Sequence, residues 1–499
     1  MANLFGRGWA AILQLLLLPW YVRLLGIEAY ALVGFYTMLY AVVVRLELGL
    51  GTTFNREVAQ RSASSEDAQQ LRDMLRTLEI VYWSMAVVVG CGIAALAPAI
   101  SRHWLQAQGL RLDEVRNAVL MMGVVVATQW PISLYEGGLR GKQRQVELNL
   151  VGAAAATVRG GGALAVLLVT PSITAFFTWQ AVVNVAHSVL LALLMRRALP
   201  RTSVRARFQR SSLLRVWRFA AGVGMVSVLS LVLMQLDKIL LSKLLPLTAF
   251  GYYSIATAAV GALAIVSGPL FETMFPRFSD LVARGDETAI RRLYHTACQF
   301  TAALVLPAGA ALVCYGLPIL MLWLHDADTA RSTHVVVALL AVGTTANVLM
   351  ILPLALQYAY GWTTLSIYKN VIAIAVLIPT LVALVLAFGV VGAAASWIAL
   401  NVGYLCIEVP IMHRRLLRHS TASFYLRDLG RPLLITASVF ALSLTVRDFL
   451  NTAGQVALAV LATMTATLLA LAVSEPIRRT VIAALHRATD TRTRKLSDA

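Results

Sequence analysis

The chain has 499 residues, 59% of them hydrophobic and 13% charged, with a mean hydropathy of +0.75. A soluble domain carries about 25% charged residues, so a water-soluble globule is excluded and a polytopic membrane protein is implied. The net charge of +18 calls for no nucleic acid, because the basic residues are distributed as membrane loops require.

Each span needs about 20 mostly apolar residues. In chain order they are predicted at 3–21, 29–51, 79–99, 117–139, 149–169, 173–195, 217–241, 249–271, 296–321, 333–356, 366–388, 391–411, 432–448 and 455–474. The opening MANLFGRGWAAILQLLLLPW lacks a basic leader and a small-x-small cleavage site, so it reads as a first span. An even number of spans puts both termini on one side, and the positive-inside rule makes that side cytoplasmic. Inside segments then carry about 32 Lys and Arg and outside segments about seven, with Arg45, Arg159 and Lys238 left within spans. The loop 196–218 and the tail 475–499 form a basic surface suited to anionic membrane lipids. Cys91, Cys298, Cys314 and Cys406 lie in or beside apolar runs with no paired spacing, which predicts neither disulfides nor a metal site. No cofactor is expected.

The first half of the chain repeats in the second. Arg23-Leu24-Leu25-Gly26-Ile27-Glu28-Ala29-Tyr30 resembles Lys243-Leu244-Leu245-Pro246-Leu247-Thr248-Ala249-Phe250 at an offset of 220, and Gly141 matches Gly361 at the same offset. Trp179-x-Ala181 with Arg196-Arg197 matches Trp397-x-Ala399 with Arg414-Arg415 at 218. Two six-helix lobes follow, 1–205 and 206–420. Two further spans occupy 421–474, and a basic tail runs over 475–499. Six spans per repeat insert both copies in the same orientation. The expected fold is therefore an all-α protein of about 14 transmembrane helices, with parallel repeats forming a bilobed alternating-access transporter.

The stretch 21–59, YVRLLGIEAYALVGFYTMLYAVVVRLELGLGTTFNREVA, carries Arg23, Leu25-Gly26, Tyr30 and Glu47-Leu48-Gly49-Leu50. In this it resembles the opening of polysaccharide-unit flippases, which move O-antigen and exopolysaccharide repeats. They belong to the multidrug/oligosaccharidyl-lipid/polysaccharide exporter superfamily. Ala31 stands where glycine is usual, and Glu47 where aspartate is. Asp237-Lys238 to Gly251-Tyr252-Tyr253 is similar to the start of the family's second half. The resemblance implies a non-enzymatic, multi-pass protein of the bacterial inner membrane, with both termini cytoplasmic. Its substrate would be an undecaprenyl-diphosphate-linked oligosaccharide, passed to the periplasmic leaflet for surface polysaccharide, lipopolysaccharide included. The polymerase machinery is an implied partner.

Moving a diphosphate through oil asks for cations, and ionisable groups inside spans are costly enough to be functional candidates. Arg159 is about ten residues from either end of its span, too deep to snorkel easily, and precedes Gly160-Gly161-Gly162. A guanidinium grips phosphate bidentately. Arg45 and Lys238 are further cavity candidates for the diphosphate. Asp237, Glu47, Glu136 and Glu408 are candidate partners or coupling carboxylates. Several also have a bland reading: Arg159 is satisfied by backbone carbonyls or a buried acid, Arg45 and Glu47 reach interfacial water, Asp237 and Lys238 form a pair at the membrane edge, and His187 is a satisfied packing residue rather than a proton relay. The Asp-x-Asp at 326–328 could hold a nucleotide sugar and metal, but it falls in an outer loop and reads as a solvated turn. A cation-coupled drug antiporter of the same superfamily and a lipid II flippase remain open beside the polysaccharide reading.

Overall fold

The computed structural model describes residues 2–45, 50–61, 68–200, 204–209 and 234–474. Among these every regular element is a helix, and a single isolated bridge pairs Gln106 with Pro246. A chain in lipid must satisfy every backbone group within its own segment, which helices do. Contacts divide the chain into two compact units, Met1–Ser254 and Ile255–Ala499.

The first unit contains α1 (Ala2–Leu25), α2 (Ile27–Arg45), α3 (Leu50–Arg61), α4 (Ala68–Ala99), α5 (Leu112–Ala127), α6 (Gln129–Gly141), α7 (Gln145–Val169) and α8 (Ile173–Ala198). Helical residues 234–244 follow, then the start of α9 (Leu247–Ala264). Helix α2 is described as far as Arg45, and the rest of the predicted span, 46–49, lies outside the described residues. The helix Leu50–Arg61 is amphipathic, burying Leu50, Phe54 and Val58 at four-residue steps.

The second unit continues through α10 (Ser267–Arg284), α11 (Glu287–Leu324), α12 (Ala327–Leu349), α13 (Ile351–Ala359), α14 (Thr364–Leu416), α15 (Arg431–Arg447) and α16 (Thr452–Val473). Twelve described stretches are long and apolar enough to cross a membrane. One of them, the 53-residue α14, carries two predicted spans, 366–388 and 391–411. Gly389, at φ 58° and ψ −134°, breaks it between them, in a region open essentially to glycine alone. The predicted span 217–241 lies mostly outside the described residues. With these two accounted for, the helices match the fourteen-span reading.

The repeated breakers also land at matching places. Gly26, at φ 82°, parts α1 from α2, and Pro246 stands before α9. The fourth span is interrupted at Thr128 and the tenth at Met350, and each continues as a short helix that ends near Gly141 or Gly361.

Close packing explains the glycines of α6. A Cβ on Gly137 would stand 2.5 Å from the Gly51 carbonyl oxygen, and one on Gly141 would stand 2.6 Å from that of Asn55. Helices α3 and α6 therefore meet backbone to backbone. Gly137→Ala should cost about 1–3 kcal/mol through overpacking, whereas Gly152→Ala meets open space. Melting temperatures of the two purified variants check this; equal values would contradict the packing account.

The last two spans are fastened to α11. Tyr315 donates its hydroxyl to Ser443 Oγ at 2.8 Å. Asp428, fully buried in the π-helical turn Phe424–Gly430, pairs with His295 and accepts from Gln299 Nε2 at 2.8 Å. Ser474, just past α16, donates to Gln299 Oε1 at 2.5 Å.

Candidate functional site: charges buried within the spans

Arg159 lies near the middle of α7, where a charge must find partners inside the protein. Its Nη2 donates to Asn184 Oδ1 at 2.6 Å, and Asn184 Nδ2 donates to the Val125 carbonyl at 2.9 Å. Asn184, on α8, is only 1% exposed. The Nε of Arg159 is buried and has no partner. Tyr36 and Tyr40 on α2, with rings 6.0 Å apart, and His187 on α8 are close enough to feel the guanidinium electrostatically. Both His187 nitrogens are buried without partners, so the expectation of a satisfied packing histidine is not met. The result is a half-buried cation held by Asn184, with donor capacity to spare, a setting in which a phosphate oxygen is well received.

The glycines after Arg159 serve the packing around it. Tyr21 donates its hydroxyl to the Gly160 carbonyl at 2.8 Å. A side chain at Gly162 would collide with the Trp179 indole, which itself donates to the Val158 carbonyl at 3.0 Å. The run admits neighbouring side chains to the backbone; it is no phosphate loop.

In the second unit Glu408 is 3% exposed. Lys369 donates to both of its oxygens, at 2.9 and 2.7 Å, and Gln357 Nε2 donates to Oε1 at 2.8 Å. The same ammonium stands 4.6 Å from the Tyr404 ring centroid. Lys369, Tyr404 and Glu408 line one part of an otherwise apolar cavity of about 400 Å³ between the two halves of α14.

The other predicted residues are placed as follows. Arg45 is the last described residue of α2; its side chain and the whole of Glu47 lie outside the described residues. Asp237 accepts from the Tyr253 hydroxyl at 2.5 Å, while its second oxygen is buried without a partner. Lys238, half-buried, makes no hydrogen bond or ion pair with a described residue. Glu136 pairs with Arg140 one turn on, at 2.6 Å, and with Arg159 it acts on Tyr40. Asp326 caps α12, accepting from the Asp328 amide at 3.1 Å and the Thr329 hydroxyl at 2.5 Å. The Thr329 hydroxyl holds the Asp326 carboxyl below its ordinary range.

Sequence reasoning missed three features. Lys369 stood near the start of a span and was counted with loop charge. Glu79, 4% exposed, gathers Arg196 Nη2 at 2.9 Å and the Tyr135 hydroxyl at 3.1 Å. Asp73, 6% exposed, and Thr77 hold the segment after α8: Asp73 accepts from the Arg207 amide at 2.8 Å, and Thr77 Oγ1 accepts from the Gln209 amide at 2.9 Å. Only the burial of Glu79 and Asp73 distinguishes them from surface charge, and hydropathy does not report that.

Fold and composition together define an all-α, multi-pass membrane protein. A family profile described as "Polysaccharide biosynthesis protein" matches residues 21–327, and the chain belongs to that family. Among solved structures it is similar to "Lipid II flippase MurJ, inward closed conformation", with a TM-score of 0.72 and 12% identity over 96% of this chain and 98% of that one. It is also similar to an inward-facing multidrug resistance MATE family transporter of the MOP superfamily, with a TM-score of 0.66 and 12% identity over 81% and 96%. A Vibrio cholerae MATE transporter, VcmN, matches at a TM-score of 0.59 and 14% identity over 85% and 96%. These likenesses show the fold. No curated protein matches the chain in sequence.

Proposed function

We propose that the protein is a flippase for a polyprenyl-diphosphate-linked oligosaccharide. It would carry this unit from the cytoplasmic to the periplasmic leaflet of a bacterial inner membrane by alternating access, for surface polysaccharide synthesis. The observation that carries this reading is Arg159: a guanidinium held by Asn184 near mid-span, with its Nε buried and partnerless. A cation fixed there favours an anionic cargo over a cationic drug. Family membership supports a saccharide cargo.

The polysaccharide reading is tested by deleting the gene in its host and locating the lipid-linked oligosaccharide. Build-up on the cytoplasmic leaflet, relieved by the wild-type chain, is the expected result. One observation favours a second reading: the partnerless buried oxygen of Asp237 is the kind of group a cation-coupled drug antiporter needs. Unchanged polysaccharide with raised drug or Na⁺ sensitivity would favour that reading.

A further inference from the structure

A cavity of about 700 Å³ opens in the second unit between α10 and the first part of α11. One wall is the face of the eighth span that repeats every fourth residue, from Ile265 through Thr273 to Arg277. The other is Leu293, Phe300 and Leu304 of α11. Its threonine hydroxyls are spent on their own helices: Thr273 donates to the Pro269 carbonyl and Thr296 to that of Arg292, both at 2.7 Å. Arg277 is the charge on the lining, and it makes no hydrogen bond or ion pair with a described residue. Asp280, its natural partner three residues on, is held instead by both ends of the Arg284 fork at 3.0 Å.

Depth follows from helix length. Arg277 lies about 11 Å of helix before the end of α10 at Arg284, where Gly285 at φ 68° turns the chain toward α11, so Arg277 stands at headgroup level at that end of the spans. The basic loops mark that side as cytoplasmic. Ile265 lies about 18 Å back along the helix, under the hydrocarbon. The slot thus joins a cation with no partner among the described residues, in the headgroup layer, to apolar walls deeper in the leaflet.

We propose that this slot holds a phospholipid of the cytoplasmic leaflet, its phosphodiester on Arg277 and one acyl chain against Phe300 and Leu304. A single guanidinium matches the one negative charge of a phosphodiester. A diphosphate carrier would bring a second negative charge that no other lining residue matches. The cavity volume falls in the range of sites that enclose small ligands, about 300–1,000 Å³. Such a lipid is a resident of the second unit, whatever the protein carries.

The test uses the full chain in detergent, titrated with phosphatidylglycerol and read by native mass spectrometry and melting temperature. Wild type and Arg331→Gln, which removes an exposed arginine that does not line the slot, should retain one lipid and melt higher with it. Arg277→Gln should bind at least tenfold more weakly, the effect expected for a lost charge-assisted hydrogen bond. Thr273→Trp, which fills the slot from an exposed position, should abolish retention without loss of fold. Equal retention by wild type and Arg277→Gln, or by wild type and Thr273→Trp, would overturn the proposal. So would displacement of phosphatidylglycerol by equimolar undecaprenyl phosphate, which would give the slot to the carrier lipid. Protection by inorganic phosphate alone would also overturn it, because the acyl chain would then add nothing.

Discussion

Arg159→Gln should lower delivery of the lipid-linked oligosaccharide to the periplasmic leaflet by roughly 10–100-fold. That is the range for losing one or two charge-assisted hydrogen bonds of about 1.5–3 kcal/mol. Glutamine keeps a donor for Asn184 but has neither the charge nor the Nε that stands free. Arg159→Lys restores the charge without the planar fork and should recover only part of the rate, because a point charge does not hold a phosphate bidentately. Leaflet-specific labelling of the intermediate, with protein levels measured beside it, reads both variants. Wild-type delivery by Arg159→Gln at normal protein levels would remove Arg159 from the path.

The second large effect is on stability. Lys369→Met leaves Glu408 buried with Gln357 as its remaining polar partner, and breaking one side of a buried ion pair costs about 3–5 kcal/mol. The purified variant should melt well below wild type. Replacing both partners, Lys369→Met with Glu408→Leu, removes the uncompensated charge and should return most of the loss, since apolar residues of similar volume often substitute for a buried pair. The double variant also separates two roles. If it folds and transports, the pair is structural. If it folds and is silent, Glu408 contributes to the transport cycle. A double variant no more stable than Lys369→Met would show that the ion pair is not the source of the loss.

Much of the architecture was legible because it depends on composition along the chain. Apolar length located the spans, and Gly26, Pro246, Gly141 and Gly361 marked breaks that the helices respect. Arg159 was legible for the same reason, since its depth is a count of residues to either end. Partners were not. Glu408 meets Gln357 and Lys369, 51 and 39 residues away in the chain, and hydropathy assigns a lysine near the start of a span to water. Glu79 was invisible for that reason too, standing where a span begins. Glu136 was the opposite case, for its partner Arg140 is one helical turn away. The glycines after Arg159 could be read as room for close approach, but not as room for Tyr21 and Trp179.

The fastening of α11 to the closing helices bears on modularity. Helices α15 and α16 follow the repeated part of the chain and look like an appendage that could be shed. Yet Asp428 and Ser474 complete the hydrogen bonding of His295 and Gln299, which belong to the repeat itself. A chain ending at residue 420 would leave those two polar side chains without these partners. Gaining or losing the final pair therefore requires changes at 295 and 299 as well, so the addition is a graft with roots in its host.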